Sequence, residues 1–345
     1  MWMRSSKKDD GTDVWEYFLL YTDDCLVISP KGRGEKILRN EIHPKFTLKE
    51  ELIGPPDIYL GGKLREVTLK DGTNAWSFSS SQYVQAAVQN VEKYLKEKVK
   101  KFPPRAETPL GLDYRPELDF TPKLQAKDAA YYQSLIGVLR WMVELGRVDI
   151  CCEVSMMSSS LALPRTGHLE QLYHIFSYSK KHHNTEMVFD PSEPTIDEDL
   201  FEKQDWSNSV YATDDTDLKE ALPGNMPDPR GKGMIMSAYV DADHAGDSVT
   251  RRSRTGFLIY LQSSLIYWHS KKQTSVETST FGSEFMAMKH CTEYICGLQF
   301  KLRMMGISIN GPAFVYGDNQ SVLANTTGPD LPLKKKSNSI AFNFV

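Results

Sequence analysis

Apolar positions recur along the chain with three different rhythms, and each predicts a different kind of element. From Trp15 to about Lys101 they fall in short runs broken by turn formers. Residues 17–21 and 25–28 are β-rich runs separated by Thr22, Asp23 and Asp24, a pattern that predicts a hairpin with acids near its tip. Pro55-Pro56 and Gly61-Gly62 punctuate the next stretch, and residues 81–95 have helical spacing. Beyond Pro103-Pro104, Tyr132, Leu135, Ile136, Leu139 and Val143 recur every three or four residues. That predicts one amphipathic helix over about 131–160, with another over 167–181. Residues 191–232 then lose all periodicity, are rich in Asp, Glu, Pro and Gly, and read as an exposed linker.

The third rhythm begins after residue 233. Residues 235–240, 256–261 and 265–270 predict three successive strands. A long helix follows over about 280–305, with Phe285, Met288, Thr292, Ile295 and Leu298 along one side and Gly306 as its stop. An apolar strand over 313–316 ends at Gly317-Asp318, before a short helix through Val322. Three strands, a helix, a strand and a helix imply an α/β domain with a mixed sheet.

Composition adds limits. The 345 residues are 40% hydrophobic and 25% charged, ordinary globular values with enough apolar material for two or three domains. No apolar run approaches the ~20 residues of a membrane span, and residues 1–10 lack the apolar core of a secretory signal. The expectation is a soluble, intracellular protein, in a cytoplasmic particle or the nucleus. Cys25, Cys151, Cys152, Cys291 and Cys296 form an odd set without a C-x-x-C pair, which indicates neither a disulfide framework nor a zinc knuckle. The net charge of -4 is unevenly spread. Residues 190–230 hold twelve acids and three bases, a net of -9, so the remainder of the chain carries +5. A mildly basic body suits a polyphosphate partner.

Three carboxylates stand where such chemistry would need them. Asp241 lies in or just after the first strand of the last segment, Glu284 near the start of its long helix, and Asp318 at the carboxyl end of its fourth strand. Reacting groups of α/β sheets gather at such strand ends. Glu284 precedes Met288, Cys291 and Ile295 by one, two and three turns, which sets its carboxylate beside the buried face. Converging acids raise one another's pKa unless a cation joins them, and Mg²⁺ accepts oxygen ligands of this kind. The plain alternatives are a turn former or cap for each Asp and a helix-dipole role for Glu284.

The local words are more specific. Ala238-Tyr239-Val240-Asp241-Ala242-Asp243-His244-Ala245-Gly246-Asp247 resembles the opening of ribonuclease H domains in copia-type retrotransposon Pol polyproteins. Arg252-Ser253-Arg254-Thr255-Gly256-Phe257 and Ile266-Tyr267-Trp268-His269-Ser270-Lys271-Lys272-Gln273 resemble its next landmarks. Gly282-Ser283-Glu284-Phe285-Met286-Ala287 and Tyr316-Gly317-Asp318-Asn319-Gln320-Ser321 complete the series in family order. The resemblance implies that Asp241, Glu284 and Asp318 are metal-binding, catalytic acids for Mg²⁺ (or Mn²⁺). The family's late Lys-His-Ile-Asp pattern is replaced by Lys336-Ser337-Asn338-Ser339, which leaves Ser339 at the fourth acidic position. The family continues with Arg-Glu and a further tail where this chain stops at Val345.

The first segment resembles the same family. Leu19-Leu20-Tyr21-Thr22-Asp23-Asp24-Cys25-Leu26-Val27-Ile28 is similar to the Tyr-x-Asp-Asp hairpin of its reverse transcriptase, which implies catalytic roles for Asp23 and Asp24. Phe46-Thr47-Leu48-Lys49 and Tyr59-Leu60-Gly61-Gly62 resemble the segment leading to the family's primer-contacting turn. Tyr132-Gln133-Ser134-Leu135-Ile136-Gly137 and Gly146-Arg147-Val148-Asp149-Ile150 resemble its stretch between polymerase and nuclease. A further metal-binding Asp of the family lies upstream and has no counterpart here, where Asp9, Asp10 and Asp13 sit in a polar leader. Nucleotidyl transfer needs metals held from separate strands, so no incorporation of nucleotides is expected from this chain.

The expected fold class is therefore α/β and α+β multidomain. It comprises a partial palm over 1–101, a helical thumb- or connection-like region over 102–190, an acidic linker over 191–232 and a ribonuclease H-like mixed sheet with flanking helices over 233–345. The expected reaction is hydrolysis of the RNA strand of an RNA–DNA hybrid. Arg251, Arg252, Arg254, Lys271 and Lys272 are candidate nucleic-acid contacts, gripping phosphates and 2′-hydroxyls. Template nucleic acid and the remaining Pol and Gag polyprotein segments are further expected partners. Two alternatives stay open: a catalytically dead or structural remnant that binds nucleic acid without turnover, and an independent binding module. Trp76, Tyr83 and Tyr131 could stack on bases or fill the core. Lys334-Lys335-Lys336 is a short basic patch, and His182-His183 reads as surface.

Overall fold

The short apolar runs of the N-terminal segment form strands, and these sort into two sheets. The computed structural model describes residues 1–104, 106–201 and 223–327, the side chain of Glu198 excepted. Strands β1 (Trp2–Lys7), β2 (Asp13–Tyr21) and β3 (Asp24–Ile28) form an antiparallel meander. The expected hairpin is its second turn, where Tyr21 pairs with Asp24 and Thr22 takes a left-handed φ of 53°. After the short α1 (Gly34–Ile37) come β4 (Ile58–Tyr59), β5 (Gly62–Thr68) and β6 (Asn74–Ser79) of the second sheet. The last strand of that sheet, β7 (Met187–Phe189), returns from beyond the helices to pair with β6.

Helices α2 (Ser81–Glu97), α3 (Ala126–Glu144), α4 (Cys151–Ser158) and α5 (Thr166–Lys181) enclose the first hydrophobic core. The stripe read from the sequence is buried as expected: Tyr132, Leu135, Ile136, Leu139 and Val143 all lie inside. The single helix expected over 131–160 is corrected to two. Gly146 adopts φ 96°, where a Cβ would collide with the Met187 side chain of β7, and the helix cannot continue through it. Arg147 then turns inward, 1% exposed, and donates to both Asp149 carboxylate oxygens at 2.8 and 2.7 Å. Helical periodicity survives the break because α3 and α4 bury residues in the same core. Tyr131 stacks on Tyr94 at 3.9 Å, and Tyr83 packs against this core. His183 is half-buried rather than free surface, with Nδ1 2.8 Å from Ser81 Oγ, and His182 lies against Tyr178.

The C-terminal segment contains β8 (Arg230–Met234), β9 (Met236–Asp243), β10 (Arg254–Leu261), β11 (Ser264–Lys272), α6 (Thr280–Met304), β12 (Ile307–Ile309), β13 (Phe314–Tyr316) and α7 (Gln320–Thr327). Strand order in its main sheet is β11-β10-β9-β13, with the first three antiparallel and β13 parallel to β9. A second core forms where Phe285, Met288, Cys291 and Ile295 of α6 cover Met236, Ala238, Val240 and Ala242 of β9. Each large side chain so buried contributes roughly 1.5–3 kcal/mol. The strands β8 and β12 pair in parallel as a separate ribbon, which the sequence pattern does not announce.

The N-terminal meander docks onto the end of α6. Gly306 stops that helix at φ 67°, its N–H bonded to the Arg303 carbonyl, and a Cβ there would overlap the Trp15 indole. Trp15 Nε1 donates to the Asp228 carbonyl at 2.9 Å, Tyr17 donates to the Met305 carbonyl at 2.7 Å, and the Arg230 guanidinium lies 4.1 Å over the Trp15 ring. The residues expected to form a linker are partly tied to the sheet: Ser263 N–H donates to the Ser192 carbonyl at 3.1 Å, and Phe201 packs edge-on against Phe314 and Tyr316. All five cysteines are free thiols. No helix among the described residues is long and apolar enough to cross a membrane. Ser339 and Lys334-Lys335-Lys336 lie outside the described residues.

Candidate metal-binding site

Strand β9 alternates strictly from Ala238 onward, with Ala238, Val240 and Ala242 inward and Tyr239, Asp241 and Asp243 outward. Alternation follows from the two-residue repeat of a strand, so the core that fixes Val240 also fixes Asp241 on the open face. Parallel pairing sets Tyr316 of β13 beside Tyr239, and two residues further along each chain stand Asp318 and Asp241. Gly317 between them leaves space for α6, since a Cβ there would crowd the Met288 methyl group at 3.2 Å. Asn319 then caps α7 by accepting from the Val322 N–H at 3.1 Å.

Glu284 arrives from the other side, on the first turns of α6. Ser279 caps that helix by accepting from the Gly282 N–H, and Gln273 at the end of β11 donates to the Ser283 carbonyl at 2.9 Å. Gln273 also donates to Thr255 Oγ1 at 3.1 Å, and its side chain is almost fully buried. The start of α6 is thus fastened to Thr255 of β10 through Gln273, which follows β11, and Glu284 is half-buried. One carboxylate oxygen from each of Asp241, Glu284 and Asp318 lies within 4.8 Å of the others. Burial, and then the charges of Asp241 and Asp318, push the Glu284 carboxyl up to about 7, although the Ala242 N–H opposes them. An all-carboxylate donor set that holds a proton near neutrality suits a hard divalent cation, which would displace that proton.

The remaining sequence candidates lie apart from this cluster. Asp23 is exposed in the β2–β3 turn, and Asp24 accepts from the Leu60 N–H at 3.1 Å. Neither joins a group of three acids or other metal ligands among the described residues. Arg251, Arg252 and Lys271 are exposed. Arg254 donates to Ser155 Oγ of α4 at 2.7 Å, and Lys272 is paired with Asp247 at 2.7 Å. Burial alone would raise the Asp247 carboxyl, but Lys272 and the Thr250 hydrogen bonds hold it at about 2. Sequence reasoning missed His244, whose Nδ1 lies 3.1 Å from the hydroxyl of Ser283, the neighbour of Glu284. Its position three residues beyond Asp241, just past the strand, was the only signal.

The fold and the acid cluster define a mixed α/β protein with several sheets and seven α-helices among the described residues, and with three carboxylates grouped closely enough to hold a metal ion. Its relatives include retrovirus-related Pol polyproteins of transposons. The chain is 23% identical over 337 residues to the retrovirus-related Pol polyprotein from transposon RE1 of Arabidopsis thaliana, a match covering 95% of this chain and 19% of that one. It is 24% identical over 314 residues to the Pol polyprotein from transposon TNT 1-94 of Nicotiana tabacum, covering 88% of this chain and 19% of that one. A transposon Ty5-1 protein of Saccharomyces cerevisiae is 25% identical over 261 residues, covering 75% of this chain and 67% of that protein. The chain therefore spans about a fifth of the length of the two plant polyproteins. No family model and no solved structure matches it.

Proposed function

We propose that the chain is the part of a copia-type Pol polyprotein that carries its ribonuclease H, and that it hydrolyses the RNA strand of RNA–DNA hybrids. The observation carrying this reading is the meeting of Asp241 from β9, Glu284 from α6 and Asp318 from the turn after β13 within 4.8 Å. The sheet order and the similarity to transposon Pol polyproteins support it. The three acids would hold Mg²⁺ (or Mn²⁺), which when bound supplies positive charge to phosphodiester oxygens and a more acidic water. Asp241 and Asp318 offer exposed carboxylates, and Glu284, whose carboxyl is raised to about 7, would give up its proton to water to join them in holding the cation. The open face of the sheet leaves room for a duplex backbone to approach.

The test is incubation of the purified protein with a labelled RNA–DNA hybrid and Mg²⁺, beside Asp241→Asn. Cleavage confined to the RNA strand and lost in the variant is expected. A loss of several kcal/mol of transition-state stabilisation corresponds to more than about a hundredfold in rate. A folded protein that binds the hybrid and leaves it intact would overturn the reading.

A further inference from the structure

A cleft of about 190 Å³ opens at the carboxyl end of β9, where the helical region meets the C-terminal sheet. Junctions of this kind are common ligand sites. One wall is the loop from Asp243 to Arg254; the other is Arg115–Glu117 together with Ser159 and Ser160 beyond α4. The loop is closed on itself. Asp247 accepts from the Val249 and Thr250 N–H groups at 3.2 and 2.7 Å, and Arg251 N–H donates back to the Asp247 carbonyl at 2.8 Å. Of the three carboxylates lining the cleft, Asp247 is engaged by Lys272 and Glu117 by the Ser248 N–H, while Asp243 is exposed. Arg115 and Arg252 are exposed as well.

Position gives the cleft its meaning. Asp243 lines it, and Asp241 of the acid site is the preceding outward residue of the same strand. Two strand residues span roughly 7 Å, a step comparable to one nucleotide of backbone. We infer that the cleft is a backbone-phosphate subsite for a nucleic-acid strand lying across the acids, with Arg115 and Arg252 as its cationic contacts. The inference rests on the nuclease reading. It makes the helical region one jaw of the grip, because Arg115 comes from that region and Arg252 from the sheet. Arginine is suited to this task by its planar fork of donors.

The measurement is binding of a blunt, labelled RNA–DNA hybrid to the full chain by fluorescence anisotropy across a salt series, with Ca²⁺ replacing Mg²⁺. The proteins are wild type, Arg115→Ala, Arg252→Ala and Arg115→Lys, with Arg39→Ala as a distant control. Arg115→Ala and Arg252→Ala should each weaken binding several-fold and lower the slope of log affinity against log salt by about one. Arg115→Lys should keep the slope, and Arg39→Ala should change nothing. The slope counts phosphate contacts and would not move if the arginines only held the fold. Unchanged affinity and slope in both alanine variants, with hybrid cleavage by wild type intact in Mg²⁺, would overturn the subsite alone. Arginine-dependent binding without any Mg²⁺-dependent cleavage would overturn the nuclease reading and leave the cleft as a phosphate-binding surface. Absence of hybrid binding by wild type would overturn both.

Discussion

Tyr316 and Tyr239 stack at 4.9 Å across the parallel pair of β13 and β9, and this contact sets the register of the acid site. A one-residue slip would turn Asp241 into the core and bring Val240 out. The hydrophobic cover provided by α6 forbids it, so the packing that stabilises the sheet also aligns Asp241 with Asp318.

The acid cluster should make the metal-free protein less stable as pH rises. The folded carboxyl of Glu284 lies at about 7, above its ordinary value of 4.5. The folded state therefore binds the proton more tightly than the unfolded chain, and stability falls between about pH 4.5 and 7. Glu284→Gln should remove this dependence and raise the melting temperature at pH 8 without metal. In wild type, Mg²⁺ should raise it too, increasingly so as pH passes 7, and Asp241→Asn should abolish that gain. A wild-type melting temperature without metal that stays flat from pH 5 to 8 would count against a shared proton.

The Asp247–Lys272 pair behaves in the opposite sense. With its carboxyl held at about 2, below the ordinary 3.8, Asp247 contributes stability that is present above pH 4 and lost as pH falls through 2. Asp247→Asn should cost on the order of 1 kcal/mol at neutral pH after allowance for solvent screening. The difference from wild type should vanish near pH 2, as followed by urea denaturation.

Gly306→Ala meets two obstacles at once. A left-handed φ costs a non-glycine residue roughly 1–2 kcal/mol, and the new methyl would strike the Trp15 indole. The substitution should therefore destabilise by about 2–3 kcal/mol, and by only the conformational part in a Trp15→Ala background. A double-mutant cycle in urea reads the coupling; additivity would show that the meander does not press on Gly306.

Gln273 orients the start of α6 without touching the acid cluster. Gln273→Leu should lower Mg²⁺ affinity by about tenfold, in the range found for groups that orient metal ligands. Hybrid cleavage should be restored at high Mg²⁺, in contrast to Asp241→Asn. Calorimetric titration with Mg²⁺ separates the two; equal affinity in Gln273→Leu and wild type would show that the helix start holds its place without this bond.

Much of the molecule is legible in the order of its residues. The three strands, long helix, fourth strand and short helix of the C-terminal segment are found within a few residues of their expected bounds, because each carries its own periodicity and stop signal. Asp241, Glu284 and Asp318 are identifiable as candidates for the same reason: each sits at a strand or helix end marked in the local sequence. The helix break at Gly146 is not legible, since its cause is the Met187 side chain from a distant strand. The β8–β12 ribbon and the fourth strand of the second sheet escape notice likewise, being too short to show a period.

The sequence by itself determined which face of each element is apolar and where the acids stand along the chain. Local covalent geometry turns those patterns into strands and helices. The distances among the acids, the fastening of α6 by Gln273, the cleft between Arg115 and Arg252 and the seat of Trp15 on Gly306 were decided only by the tertiary structure. Each depends on residues far apart in the chain, brought together by burial of the two cores, and no local pattern encodes such a meeting.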